Sequence, residues 1–488
     1  MIKTVENIKT ERVNSMSAAH KNEYGQFLTP VSIACFMASL FSDVEKDVKL
    51  LDAGAGTGIL SASFIEKHFN NSRRILVTAY EIDRTIINML EESLSLYKYY
   101  PYNVSYKIIN DDFILSEVEK IIKNKNNVFT HAIMNPPYKK LSVNSNHRKF
   151  LSLLKVNVVN FYAAFMALAL LLLKENGELA AIVPRSFCNG TYYNCFRHFI
   201  NNKANINHIH LFKSRTGNFK DEDVLQENII IYLTKTKERR KMIKISHSSD
   251  STFADYKEEE YKYDDIINRE SFELFINIPE DKNNIGFFNE KSACKYTLHE
   301  LGIDLSTGPV IEFRMKKFLK KNPCDKYVPI LYPEHFNCGF KWPSDNLKRF
   351  NCIENNEITK KLFYKNGIYP VVNRFSPKEA SKRIISNLYL PFNPKCKYVA
   401  FENHLNVFHK NKSGLDLEIA KGLMIFLNSS FVDKMFRLFN GHTQVNAGDL
   451  KALRYPSESI LREIGKWGIK NKDNLSQELI DIKIKRHI

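Results

Sequence analysis

Cysteine is sparse and scattered in this 488-residue chain: its eight cysteines (35, 188, 195, 294, 324, 338, 352 and 396) contain no C-x-x-C pair. Neither a zinc site nor a disulfide framework is indicated, so no metal is expected and a reducing cytoplasm fits. Long apolar runs are missing too. The longest, Phe161 to Leu173, ends in Lys174-Glu175-Asn176, short of the roughly 20 residues that span a bilayer. The N-terminus is polar and charged, so no signal peptide and no membrane partner are expected. There is no internal repeat, no nuclease-like carboxylate cluster and no G-x-G-x-x-G dinucleotide fingerprint. Residues 1–22 show little periodicity and read as a loose arm or irregular helix, too short for a fused nuclease domain.

Acidic residues are outnumbered, 54 Asp and Glu against 71 Lys and Arg, for a net charge of +17. Residues 301–400 alone hold 18 basic and 8 acidic side chains. A basic excess concentrated in the second half favours a polyanionic partner, nucleic acid above all. Apolar residues at 44 % suffice for sizeable cores, and the length calls for more than one domain at roughly 100–200 residues each.

The chemistry-bearing stretch is Met134-Asn135-Pro136-Pro137-Tyr138. It follows an apolar run from Val128 to Ile133 that reads as a buried strand. Two prolines end that strand, since neither can donate a ladder hydrogen bond. They leave a stiff loop at the carboxyl edge of a sheet, where open α/β folds bind ligands. Its amide oxygen and nearby carbonyls can accept from an exocyclic amine, and the tyrosine ring can stack on a flat base. Taken alone, the loop is equally a rigid turn.

Three earlier strand ends share this polar character. Val48–Leu51 runs into Asp52-Ala53-Gly54-Ala55-Gly56-Thr57-Gly58 and a helix from Ile59 to Lys67. Its glycines allow close approach of a ligand to the backbone, and Asp52 would repel a phosphate and attract an ammonium group. Arg74–Tyr80 ends in Glu81-Ile82-Asp83, where a ribose hydroxyl pair is usually caught. Val104–Ile109 ends in Asn110-Asp111-Asp112-Phe113, a carboxylate and a ring suited to an adenine. A spacing of about 25–30 residues between these ends predicts a doubly wound sheet. Upstream, Thr29 or Pro30 starts a helix whose N-terminus suits a carboxylate. Downstream come strands at Leu179–Val183, Asn207–Phe212 and Asn228–Leu233, with Phe219 on a polar loop between the last two.

This ordered set resembles the adenine-specific (amino-group) DNA methyltransferases that use S-adenosylmethionine (SAM). GQFLTP, LDAGAGTG, EID, NDDF and NPPY resemble their motifs X, I, II, III and IV. A leading motif X and a large trailing domain match the γ arrangement of TaqI-like and BsuBI/PstI-type restriction-modification methylases. The latter share stretches like PRSFCNG, VLQENII, RFSPKEASKR and FNGHTQVNAGDLKALRYP, so the resemblance covers most of the chain. Protein-glutamine and ribosomal RNA methyltransferases also carry NPPY, but are usually much shorter.

The resemblance implies an α/β, Rossmann-like SAM-dependent methyltransferase sheet at 1–240, a connecting region at 241–300 and a mixed α+β DNA target-recognition domain at 301–488. It implies that Thr29, Pro30, Asp52, Ala53, Gly54, Gly56 and Gly58 hold the methionine end of SAM. Glu81 would bind the ribose hydroxyls, Ile82 would pack on the adenine, Asp112 would accept from its amino group and Phe113 would stack nearby. Asn135 and Pro136 would bind the target amine, with Pro137 stiffening the loop and Tyr138 stacked on a flipped base. Phe219 would wall the base pocket from its other side, with Phe212 as the rival. The expected activity is methylation of adenine N6 in double-stranded DNA, as the modification component of a type II restriction system. The expected protein is monomeric, with a separate endonuclease reading the same site. An RNA or protein methyltransferase and an inactive SAM-sensing DNA-binding module are the alternatives.

Overall fold

The computed structural model describes residues 1–15, 29–42, 47–102, 104–124, 128–212, 227–267, 269, 272–279, 293–336, 339–343, 349–377, 380–393, 395–439, 444–471 and 475–487. Two compact units divide it, Met1–Lys282 and Asn283–Ile488.

In the first unit, strands and helices alternate as the apolar pattern predicts. The strands are β1 (Val48–Ala53), β2 (Ile75–Tyr80), β3 (Val104–Ile109), β4 (Phe129–Met134), β5 (Leu173–Pro184), β6 (Asn205–Phe212), β7 (Asn228–Thr234), β8 (Met242–Ser248) and β9 (Lys257–Lys262). They form one sheet in the order β3-β2-β1-β4-β5-β7-β6-β8-β9. β1 to β5 pair in parallel, whereas β7 runs antiparallel to both β5 and β6. Parallel strands covered on both faces read as continuous apolar runs, and β4 is buried at five of its six positions. Leu50, Val77 and Ile133 of adjacent strands share one core with Ile33, Met37, Phe64 and Leu90 of the helices. The chain leaves β1 to build β2 and β3 on one side, then returns to place β4 on the other. That reversal opens a crevice at the carboxyl ends of β1 and β4.

The unit extends beyond 240. Residues 242–262, expected in the connecting region, supply two further strands: β8 runs parallel to β6 and β9 pairs back on β8. Buried Ile243 and Ile245 on β8 continue the sheet core. A second difference lies at β5. The helix Phe161–Leu172 passes directly into the strand, and residues 174–177 form an excursion that shifts the register between Phe129↔Leu173 and His131↔Glu178.

The second unit is mixed α and β. Its strands are β10 (Asp304–Thr307), β11 (Leu319–Lys320), β12 (Tyr327–Leu331), β13 (Cys352–Glu354), β14 (Tyr364–Lys365), β15 (Tyr369–Asn373), β16 (Ser386–Tyr389), β17 (Tyr398–Phe401) and β18 (Leu405–His409). They make a four-stranded sheet, β10-β18-β15-β16, and a five-stranded one, β11-β13-β12-β17-β14. The helices Leu417–Leu427 and Glu458–Lys470 pack closely at Gly422 and Gly465, where an added Cβ would meet backbone carbonyls. Among the described residues, no helix is long and apolar enough to cross a membrane.

Candidate active site

The loop after β1 turns through three left-handed glycines, Gly54 (φ 76°), Gly56 (58°) and Gly58 (86°). A side chain at any of them would cost roughly 1–2 kcal/mol in backbone strain alone. The N–H groups of Gly54 and Ala55 both donate to the Tyr80 carbonyl at 2.9 Å, tying the loop to the end of β2. Glu81, the next residue, ties it again: one carboxylate oxygen accepts from Gly56 N–H and the other from Asp83 N–H, each at 2.8 Å. Burial raises the Glu81 pKa, opposed by those backbone bonds. Asn110 donates to the carbonyls of Glu81 (2.8 Å) and Ile82 (3.2 Å), which fixes the segment while the Ile82 side chain stays half exposed.

Asp52 is fully buried at the base of this loop, with Ala53 buried beside it. One Asp52 oxygen, Oδ2, accepts from Ser61 Oγ at 2.6 Å; the other, Oδ1, is buried without a hydrogen-bond partner. Burial pushes its pKa up to about 7. An orphaned buried carboxylate oxygen is costly unless a donor or cation reaches it. Thr57 Oγ1 on the same loop is likewise buried and unpartnered.

At the end of β3, Asp112 caps the helix Phe113–Ile122 by accepting from Leu115 N–H at 2.9 Å. Its second oxygen pairs with His147 Nε2 at 2.8 Å. Burial raises the Asp112 pKa, but the bonds from His147 and the helix N–H groups outweigh it and hold the carboxyl below its ordinary value. Phe113 is buried against Tyr80 and Phe165, with ring centroids 5.1 and 4.9 Å away. It belongs to the wall under the crevice.

Asn135 stands just past β4, beside the glycine loop: a Cβ built on Gly54 would come within 3.9 Å of the Asn135 carbonyl oxygen. The side-chain amide is held at both ends. Its Nδ2 donates to Thr29 Oγ1 and its Oδ1 lies 3.0 Å from the Tyr138 hydroxyl. That hydroxyl also reaches the Ile182 carbonyl at 3.3 Å, and the Tyr138 ring is buried. Between them, Pro136 is buried and Pro137 half buried. Thr29 is buried, and Pro30 precedes the helix Val31–Ser39, its carbonyl accepting from Ala34 N–H.

The crevice thus gathers Thr29, Pro30, Asp52, Ala53, the glycine loop, Glu81, Ile82, Asp112 and residues 135–138 at the carboxyl ends of four adjacent strands. Phe219 lies outside the described residues. Its rival, Phe212, is buried in the sheet core with its ring 4.6 Å from His210 and 5.8 Å from Phe253. Two contacts were not foreseen from sequence: His147 on Asp112, and Thr29 on Asn135. The partners lie 35 and 106 residues apart, and no local spacing announces either.

A family model described as Eco57I restriction-modification methylase matches residues 68–219. Type II methyltransferase M.BsuBI of Bacillus subtilis is 44 % identical over 474 residues, covering 95 % of this chain and 94 % of its own. Type II methyltransferase M.PstI of Providencia stuartii is 38 % identical over 467 residues, covering 94 % and 92 %. Among solved structures, the cryo-EM structure of a DrdV–DNA complex is similar in fold, with a TM-score of 0.52 at 12 % identity. That match takes in 92 % of this chain, which spans 58 % of the other's length. High identity along nearly the whole length of both curated relatives decides the family: the chain belongs to the type II methyltransferases of restriction–modification systems, DNA methyltransferases as a class.

Proposed function

We propose that this enzyme methylates the N6 amino group of adenine in double-stranded DNA, taking the methyl group from SAM. The carrying observation is the side-by-side placement of the glycine loop and a doubly anchored Asn135 at the point where the sheet order reverses. The residues present fit the cofactor. Asp52 Oδ1 offers an unpartnered acceptor suited to an ammonium group, Glu81 sits where ribose hydroxyls are caught, and Ile82 offers an exposed apolar face. Asp112 and Phe113 would border the adenine.

When bound, SAM supplies an electrophilic methyl group. The chain's own residues prepare the amine. An exocyclic adenine nitrogen is a poor nucleophile because its lone pair is delocalised into the ring. The Asn135 side-chain oxygen and the Pro136 carbonyl would accept its two hydrogens and draw them from the ring plane. Both acceptors then face the positive charge that grows on the nitrogen, which is electrostatic preorganisation. Thr29 holds the amide nitrogen, so the oxygen stays turned to the amine. The hydroxyl of Tyr138 donates to that oxygen at 3.0 Å and fixes its position. A base inside a duplex cannot reach this crevice, so the adenine would be flipped out, with stacking on Tyr138 and Phe219 offsetting part of the few kcal/mol required. The second unit, with the basic stretch 301–400, would select the site on DNA. The partner in the cell would be a separate endonuclease reading the same sequence.

Labelled SAM offered with duplex DNA, RNA and protein tests the reading. Label is expected in DNA only, and Asn135→Ala should lower turnover by about 10²–10³-fold while SAM still binds. Label in RNA or protein, or near-normal turnover by that variant, would refute it.

A further inference from the structure

The second unit contains a cavity of about 170 Å³ beside the end of β15, lined in part by Tyr332, Glu334, Arg349, Asn373, Phe375 and His404. Its cationic side chain is already matched. Arg349 donates to Glu334 at 2.5 Å and to Glu312 at 3.4 Å, with its guanidinium 5.2 Å from the centre of the Tyr332 ring. His404 is held from behind by Glu402, which is almost fully buried and takes the ring's Nδ1 at 2.7 Å. A carboxylate at Nδ1 fixes the proton there. In the neutral ring Nε2 is then an acceptor, and it has no partner among the described residues. A second unused acceptor, Asn373 Oδ1, is buried without a hydrogen-bond partner. Phe375 stands 46 % exposed, its ring 5.1 Å from that of His404.

These features select among the parts of a DNA substrate. A phosphate wants unpaired cations, but three carboxylates (Glu312, Glu334 and Glu402) face the Arg349 and His404 cluster. An isolated exposed phenylalanine would be ordinary surface. Here it adjoins two unpartnered acceptors, and the combination suits a neutral, flat group that donates hydrogen bonds. Adenine and cytosine carry such a donor in their exocyclic amines.

We infer that this cavity reads one nucleobase of the DNA target drawn out of the stack, taking its face on Phe375 and its amino edge at Asn373 Oδ1 and His404 Nε2. The inference rests on the reading of the substrate as DNA, and the site is a specificity determinant separate from the Asn135 crevice. The full-length enzyme, labelled SAM and a panel of duplexes test it. One duplex carries the site found methylated in cells expressing the protein; each of the others differs from it at one base pair. Phe375→Ala and His404→Ala are expected to relax discrimination at a single position by about tenfold or more, the scale of one stacked or hydrogen-bonded base. Selection at the other positions and SAM affinity should hold, and Phe375→Trp should restore discrimination. An unchanged site profile in both variants overturns the inference. So does a loss spread evenly over all duplexes, the mark of a phosphate contact or a damaged fold. A wild-type enzyme that methylates no duplex would instead refute the DNA reading itself.

Discussion

Asp52→Asn should remove most of the pH dependence of SAM affinity. Burial lifts the Asp52 carboxyl to about 7 from an ordinary value of 3.8, with the Ser61 hydrogen bonds opposing and the Glu81 charge adding. An ammonium group at the orphaned Oδ1 would favour the ionised carboxylate, so binding below pH 7 must first expel a proton. Affinity then falls by up to tenfold per pH unit below about 7 and levels above it, about 25-fold between pH 7.5 and 5.5. The same group sets a trend in folding stability. Its folded pKa lies above its unfolded one, so its contribution is most favourable below about pH 4 and is lost as pH rises through about 7, on the order of 4 kcal/mol in all. The Asn variant should bind SAM weakly, with a nearly flat pH profile, and should melt higher than wild type at pH 8 without ligand. Isothermal titration calorimetry and thermal melts across pH 5.5–8 measure both. An Asn variant with the wild-type slope would refute the assignment.

Thr29→Val removes the acceptor that holds Asn135 Nδ2 at 3.0 Å; turnover at saturating SAM should fall about tenfold, the scale of one lost positioning hydrogen bond, and Thr29→Ser should recover it. Gly465→Ala would place a Cβ 1.8 Å from the Glu418 carbonyl oxygen. The helices must part, costing about 1–3 kcal/mol or more and lowering the calorimetric midpoint of the second unit; an unchanged midpoint would contradict that packing. Burial lowers the pKa values of His131 and His208 to about 4 and of His210 to about 3. Stability from keeping them neutral is present above about pH 6.5 and is lost as pH falls through 4 to 3. Chemical denaturation of the wild type should show that loss, and a double substitution of His208 and His210 by Gln should shrink it.

The parallel core of the first unit was legible because its strands are apolar and end in Gly, Pro or acidic residues. Val48–Leu51 and Arg74–Tyr80 were read to within two residues of β1 and β2. The sheet's far edge was not legible: β9 has the sequence Lys-Glu-Glu-Glu-Tyr-Lys, buried only at Tyr261, so nothing but its pairing marks it as a strand. The start of β5 was hidden by a helix that ends without a breaker, so Leu173 looked like its last turn. At the site, single residues could be placed on strand ends, but their contacts could not. Glu81 was expected to face a ligand, yet both its oxygens also serve the loop. The Tyr138 ring was expected to stack, and the hydroxyl that joins it to Asn135 had no counterpart in the sequence pattern.

The most direct test is sequencing, at base resolution for modified nucleotides, of DNA from cells expressing the wild type and Asn135→Ala, with the modified nucleoside identified by mass spectrometry. The account predicts N6-methyladenine at one recurring site with the wild type, and a small fraction of that level with the variant. Methylated cytosine, unmodified DNA, or the same level of methyladenine from Asn135→Ala would contradict it.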